Sequence, residues 1–180
     1  LGYIGLPTAL MFAKSGVKVI GTDYNKGLVD SLNENQLPFF EAGIEELFRE
    51  ARKNGIEFTT DYQKADIYII AVSTPYDKNN KKLDHEQLIV AINSVLDVCE
   101  AGAIMIIEST VSPKTIDRFV RPAVEAKGFN LGSDVHLVHA PERIIPGNML
   151  YELENNPRVI GSDSNLIGEK VRELYSAFCR

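Results

Sequence analysis

The sequence predicts an α/β chain built on a mainly parallel, doubly wound sheet with helices on both faces. Three observations lead there. Apolar runs of strand length alternate with amphipathic stretches of helical period along almost the whole chain. Two of those runs, at residues 66–72 (after Asp66) and 103–107, are apolar without alternation, as parallel strands buried on both faces are. The chain also opens on a glycine-spaced turn, Leu1-Gly2-Tyr3-Ile4-Gly5, that leads directly into a helical pattern.

Each element has a local reason. A helix is expected at 6–15, where Leu6, Ala9, Leu10 and Ala13 share one face, and a strand at 17–22. A helix at 26–33 is broken by Gln36-Leu37-Pro38. The next, at 41–54, carries Ile44, Leu47, Phe48 and Ala51 at helical spacing and ends at Gly55. A short strand at 56–59 and a helical turn at 61–65 precede the apolar strand at 66–72. A long helix at 85–98, a strand at 103–107, and a helix at 113–126 with proline near its start follow. Strands at 135–139 and 158–160 and a helix at 165–178 complete the series. No internal repeat or low-complexity stretch is present. Right-handed crossovers would place the C-terminal ends of the strands on one edge, where ligands bind.

Composition narrows the function classes. The 180 residues are 44% hydrophobic with a net charge of −6, as expected of one globular domain. The absence of a basic run or aromatic-basic stripe argues against nucleic acid as a partner. No apolar run approaches the roughly 18 residues of a membrane span, so no membrane role is expected. No signal peptide is visible, and a cytoplasmic location is expected. Cys99 and Cys179 stand far apart and form neither a disulfide framework nor a metal site.

The opening turn is a dinucleotide-binding fingerprint less its first glycine, so the first strand of the fold is expected to be missing. Gly2 lets the backbone approach a pyrophosphate, and Gly5 lets the helix pack close to its strand. The helix N-terminus then offers amides and partial positive charge to phosphate. The motif expects an acid about 20 residues on, at the end of the second strand, and Asp23 stands there. A carboxylate at that place accepts hydrogen bonds from ribose hydroxyls and repels a 2′-phosphate, which favours NAD over NADP. Lys26 nearby could instead accept a phosphate, and Asp23 could serve as a helix N-cap.

Three polar stretches follow three predicted strands: Val72-Ser73-Thr74-Pro75, Glu108-Ser109-Thr110-Val111-Ser112-Pro113, and His139-Ala140-Pro141-Glu142-Arg143-Ile144-Ile145-Pro146-Gly147-Asn148. Singly, each reads as a strand end before a helix start. At one edge of a nucleotide fold, they read together as a site. With the glycine turn, Val-Ser-Thr-Pro, Glu-Ser-Thr-Val and Ala-Pro-Glu-Arg-Ile-Ile-Pro-Gly-Asn-Met resemble the UDP-glucose/UDP-N-acetylmannosamine dehydrogenase family over the whole chain, with a Rossmann-like fold. The stretch 141–161, ending Asn156-Pro157-Arg158-Val159-Ile160-Gly161, looks most like the mannosamine branch.

The resemblance implies that residues 1–180 are an NAD-binding domain, with central helical and C-terminal substrate domains outside the chain. It implies NAD-dependent oxidation of the C6 alcohol of a UDP-sugar to the uronate in polysaccharide biosynthesis, by a cytoplasmic homodimer. In the family a cysteine in Gly-Gly-x-Cys-x-Pro-x-Asp captures the aldehyde. That motif and the family's lysine are absent here, and Cys99 and Cys179 read as packing residues. Gly2, Tyr3, Ile4, Gly5, Asp23, Thr74 and Thr110 would bind the cofactor. Thr110 could also position the hydrolytic water, and Glu142 would polarise water or relay a proton. Its alternative is a structural pair with Arg143. Arg143 and Ile144 match positions that touch the nucleotide sugar. Pro146 stands where the glucose branch has a second glutamate, which argues against UDP-glucose. UDP-N-acetylglucosamine or UDP-glucose as substrate, and a non-catalytic nucleotide-binding module, remain the alternatives.

Overall fold

The computed structural model describes residues 1–79 and 81–179, without the Lys82 side chain. The chain divides into two compact units. Unit 1 comprises Leu1–Tyr62, Arg143–Arg158 and Arg172–Arg180, and unit 2 comprises Gln63–Glu142 and Val159–Val171.

Unit 1 begins with α1 (Gly5–Lys14), which buries Leu6, Leu10, Met11, Phe12 and Ala13. β1 (Ile20–Thr22) pairs in parallel with β2 (Glu57–Thr59), Gly21 opposite Phe58. β1 is shorter than the expected strand at 17–22, because its partner offers three residues of ladder. α2 (Lys26–Asn33) starts where expected, and Asn25 is its cap, accepting the Leu28 N–H. α3 (Ile44–Lys53) starts three residues later than expected, because Gly43 takes φ +82°, outside the helical region. Leu6, Leu10, Leu32 and Ile44 form the centre of the core, with Phe48 stacked parallel to Phe58. α6 (Met149–Asn155), a helix with no sequence expectation, adds Met149 and Leu153 to that core.

Unit 2 is organised around β3 (Ile67–Ile70), β6 (Ala103–Ile107) and β7 (Val135–His139), parallel and in the order β3-β6-β7. All five residues of β6 are buried, which explains its unbroken apolar sequence. β8 (Gly161–Ser162) closes the order antiparallel to β7, beyond the strand expected at 158–160. α4 (Glu86–Leu96) packs on β3 through a face that includes Leu88, Ile92 and Val95. Ahead of it lies an unanticipated hairpin, β4 (Tyr76–Asp77) and β5 (Lys82–Leu83). α7 (Asn165–Tyr175) ends the series.

Two helical expectations fail in unit 2 for identifiable reasons. Residues 61–65 form no helical turn. The Tyr68 hydroxyl accepts the Ala65 N–H at 2.9 Å and donates to the Gln63 carbonyl at 3.2 Å, which holds an extended path. The helix expected at 113–126 starts late, because Lys114 adopts φ +69°. Its first part, Ile116–Val120, is wound wide, with the Arg121 N–H reaching back to the Ile116 carbonyl. Pro122 follows at the start of α5 (Arg121–Ala126). A proline ring has no N–H to give and crowds the carbonyl four residues earlier, and the wide turn relieves both.

Gly21 is the residue most constrained in unit 1. A Cβ there would lie 2.9 Å from the Phe58 ring and from Leu1 Cδ2. Gly21→Ala should cost about 1–3 kcal/mol by overpacking, lowering Tm by several degrees in thermal unfolding. An unchanged Tm would contradict this packing. In unit 2, His139 Nε2 is buried without a hydrogen-bond partner. Burial holds the imidazole below its ordinary 6.5, against a hydrogen bond to the Ser109 backbone that favours the proton. Below pH 6.5 the unfolded chain therefore binds protons that the native state refuses, and stability falls as pH drops from 6.5 toward the native value. Denaturant unfolding between pH 7.5 and 5.5 should show this loss, and His139→Gln should flatten it. An equal slope in both proteins would rule it out.

Candidate functional site

The three strands of unit 2 end level with one another. Ile70 pairs with Ile107, and Ile107 with His139. The polar stretches that follow therefore leave one edge of the sheet, as expected. Backbone bonds extend the alignment past the strands: the Glu108 N–H reaches the Ile70 carbonyl at 2.9 Å, and the Ala140 N–H reaches the Ile107 carbonyl at 3.0 Å.

Side chains then fasten the stretches together. The Ser109 hydroxyl accepts the Val72 N–H at 2.9 Å and donates to the Val72 carbonyl at 2.8 Å. The Thr74 hydroxyl donates to the Thr110 carbonyl at 2.6 Å. Thr74 and Thr110, expected separately, thus meet directly, with Thr74 half-buried and Thr110 exposed. Glu108 is wholly buried at the end of β6. Glu142 is half-buried at the limit of this unit.

The glycine turn lies in unit 1. Gly2 is exposed, and a Cβ on it would meet no heavy atom within 4 Å. Neither Gly2 nor Gly5 takes a positive φ. The turn therefore does not need glycine for its backbone conformation. α1 begins behind it with Ile4 at the cap position and no side-chain cap. Leu6 gives its N–H to the Gly2 carbonyl at 3.1 Å and Pro7 has none, which leaves the Gly5 amide to carry the partial positive charge of the helix N-terminus.

Asp23 stands at the end of β1 beside this turn. Its Oδ1 accepts the Asn25 N–H at 2.9 Å. The N-cap of α2 is Asn25, so the capping role considered for Asp23 falls to its neighbour. Lys26 is held by Asp30, at 2.9 and 2.7 Å from the two carboxylate oxygens. Its charge is thereby directed along α2.

A residue the sequence reading placed inside a helix organises the rest of unit 1. Glu41, 4% exposed, accepts the Tyr3 hydroxyl at 2.7 Å, the Gly147 N–H at 3.1 Å and the Met149 N–H at 3.2 Å. The Tyr3 hydrogen bond, then the two amides, hold its carboxyl below the usual range against the effect of burial. Burial and the same carboxylate push the Tyr3 phenol up. Ser109 lies in the Glu-Ser-Thr-Val stretch but had no role assigned to it, and Glu41 carries no motif signal of its own. Their partners lie 37 and 106 residues away for Val72 and Gly147.

The loop at 143–149 is fixed at several points. The Arg143 guanidinium donates to the Pro157 carbonyl at 2.9 Å, and Asn156 Nδ2 donates to the Arg143 carbonyl at 2.9 Å. Glu152 accepts the Ile145 N–H at 2.6 Å. The Arg143 side chain is exposed, and Ile144 packs partly against the core of unit 1. Cys99 and Cys179 are free thiols. Burial pushes the Cys99 thiol up, the opposite of what a nucleophile needs. Among the described residues no three His, Cys, Asp or Glu groups are placed to hold a metal ion, and no helix is long and apolar enough to cross a membrane.

Comparison with known proteins follows these observations closely. Residues 1–179 match the model of the UDP-glucose/GDP-mannose dehydrogenase family, NAD binding domain. The UDP-N-acetyl-D-mannosamine dehydrogenase of Methanococcus aeolicus is 38% identical over 181 residues, 99% of this chain and 40% of its own. That of Pyrococcus horikoshii is 35% identical over 184 residues, 100% of this chain and 44% of its own. The native structure of the UDP-N-acetyl-mannosamine dehydrogenase Cap5O from Staphylococcus aureus superposes with a TM-score of 0.93 at 41% identity, covering 100% of this chain and 44% of that one. The chain thus spans 40–44% of the length of these curated relatives. Its fold is α/β and Rossmann-like, its cofactor is NAD, and it belongs to the NAD-binding domain of the UDP-glucose/GDP-mannose dehydrogenase family.

Proposed function

We propose that this chain is the NAD-binding domain of a dehydrogenase that oxidises the C6 alcohol of a UDP-sugar, UDP-N-acetyl-D-mannosamine, to the uronate. The single observation that carries the reading is the 38% identity, over 99% of this chain, to the UDP-N-acetyl-D-mannosamine dehydrogenase of Methanococcus aeolicus. The site geometry supports it. The open backbone at Gly2 and the uncapped start of α1 fit a pyrophosphate. The dinucleotide, when bound, supplies the hydride acceptor.

The chain's own residues then divide the work. The backbone of Gly2, Tyr3, Ile4 and Gly5 faces the pyrophosphate. Asp23 accepts the adenosine ribose hydroxyls. Thr74 and Thr110, locked together, orient the dinucleotide at the strand ends. Glu142 holds or moves a proton on the hydrolytic water, with Thr110 helping to place that water. Arg143, its guanidinium steered by Pro157, and the backbone at Ile144 receive the nucleotide sugar. The nucleophilic cysteine and the lysine belong to regions outside residues 1–180, as do the central helical and C-terminal domains. A homodimer in the cytoplasm completes the reading.

Two outcomes test it on the full-length protein. NAD⁺ should bind at least about tenfold tighter than NADP⁺ in calorimetric titration, a difference of roughly 1.4 kcal/mol, and Asp23→Asn should narrow the gap. Equal affinities would refute the role of Asp23. Arg143→Ala should lower kcat/KM for the UDP-sugar roughly 10- to 150-fold, the equivalent of about 1.5–3 kcal/mol for a charge-assisted hydrogen bond. NAD⁺ affinity should stay nearly unchanged. Wild-type sugar kinetics in this variant would leave Arg143 a structural residue. A panel of UDP-sugars decides between N-acetylmannosamine, N-acetylglucosamine and glucose.

A further inference from the structure

A buried carboxylate with three donors converging on it from two segments of chain is a specific construction. Glu41 has one donor in the glycine turn, the Tyr3 hydroxyl, and two in the loop that follows Arg143 and Ile144, the Gly147 and Met149 amides. All of these residues lie in unit 1. Each donor has a reason to need it. Gly147 sits at φ +95°, a turn conformation that leaves its N–H outside any regular ladder. Met149 is the first residue of α6, and the Asn148 side chain does not cap that helix. Glu41 therefore serves as a remote cap for α6 and as an anchor for the turn before it.

We propose that Glu41 is a positioning residue that fixes the sugar-nucleotide loop to the dinucleotide turn, with Tyr3 as the link between them. The inference rests on the reading of Arg143 and Ile144 as sugar-nucleotide residues. Glu41 acts through other groups: it holds the 143–149 loop at its far end, while Pro157, Asn156 and Glu152 hold it at the near end. The carboxylate is ionised at neutral pH, since its donors hold it below the ordinary range. Its amide analogue keeps one acceptor oxygen and loses the charge. Its alanine analogue leaves the Gly147 and Met149 amides without their acceptor. Removing the Tyr3 hydroxyl cuts only the link to the turn.

These differences make a graded test on the full-length protein. The affinities of UDP-N-acetyl-D-mannosamine and of NAD⁺ are each measured by calorimetry for wild type, Tyr3→Phe, Glu41→Gln and Glu41→Ala, well below their unfolding temperatures. Sugar affinity should fall about tenfold or more in Glu41→Ala, and by less in Glu41→Gln and Tyr3→Phe. NAD⁺ affinity should fall by less than sugar affinity in both Glu41 variants. If Glu41→Ala fails to fold, Glu41→Gln and Tyr3→Phe carry the test by the same readout. A lowered Tm with wild-type affinities for both ligands would make Glu41 a purely stabilising residue and overturn the proposal. A wild-type protein that binds NAD⁺ and no UDP-sugar would overturn the sugar-site reading itself, and this proposal with it.

Discussion

The complete burial of β6 between two parallel neighbours is the constraint from which the unit 2 arrangement follows. Its residues Ala103, Ile104, Met105, Ile106 and Ile107 are all buried, so no polar side chain can be accommodated until the strand ends. Polar chemistry is displaced to that end, and the register that aligns Ile70, Ile107 and His139 brings three such ends together. Ser109 and the Thr74–Thr110 pair are then consequences. Chain leaving a buried sheet carries backbone groups that need partners, and these hydroxyls supply them. The same hydroxyl-rich segments form the polar edge of the sheet.

In unit 1 the organising group is a buried carboxylate, Glu41, as Glu108 is buried just past β6 in unit 2. A buried carboxylate is tolerated only when donors surround it. Glu41 therefore selects the positions of Tyr3, Gly147 and Met149 together. The glycine turn and the 143–149 loop, distant in sequence, share that one group. The open space over Gly2 and the close quarters at Gly21 show two different demands met by the same residue type. One keeps a surface accessible, and the other lets β1 pass the Phe58 ring.

What the sequence reveals tracks how local the determining interaction is. β6, β7 and α2 were legible to the residue, because periodicity, burial and a neighbouring cap decide them. The family motifs made Gly2, Asp23, Thr74, Thr110, Glu142, Arg143 and Ile144 candidates, and the structure joins Thr74 to Thr110. The extended path at 61–65 depends on the Tyr68 hydroxyl folding back, which no pattern announces. The start of α6 depends on a carboxylate 108 residues earlier. Glu41 itself looked like the first turn of α3, because an acid there is ordinary. Only Gly43 in a left-handed conformation separates it from that helix.

The central proposal is that NAD binds at the glycine turn of unit 1. Amide chemical-shift mapping during NAD⁺ titration of the isotopically labelled full-length protein tests it most directly. The account predicts saturable shifts at Gly2, Tyr3, Ile4 and Gly5 and at Asp23, with one shared dissociation constant. Saturable shifts confined to other surfaces, with these amides unmoved, would contradict it.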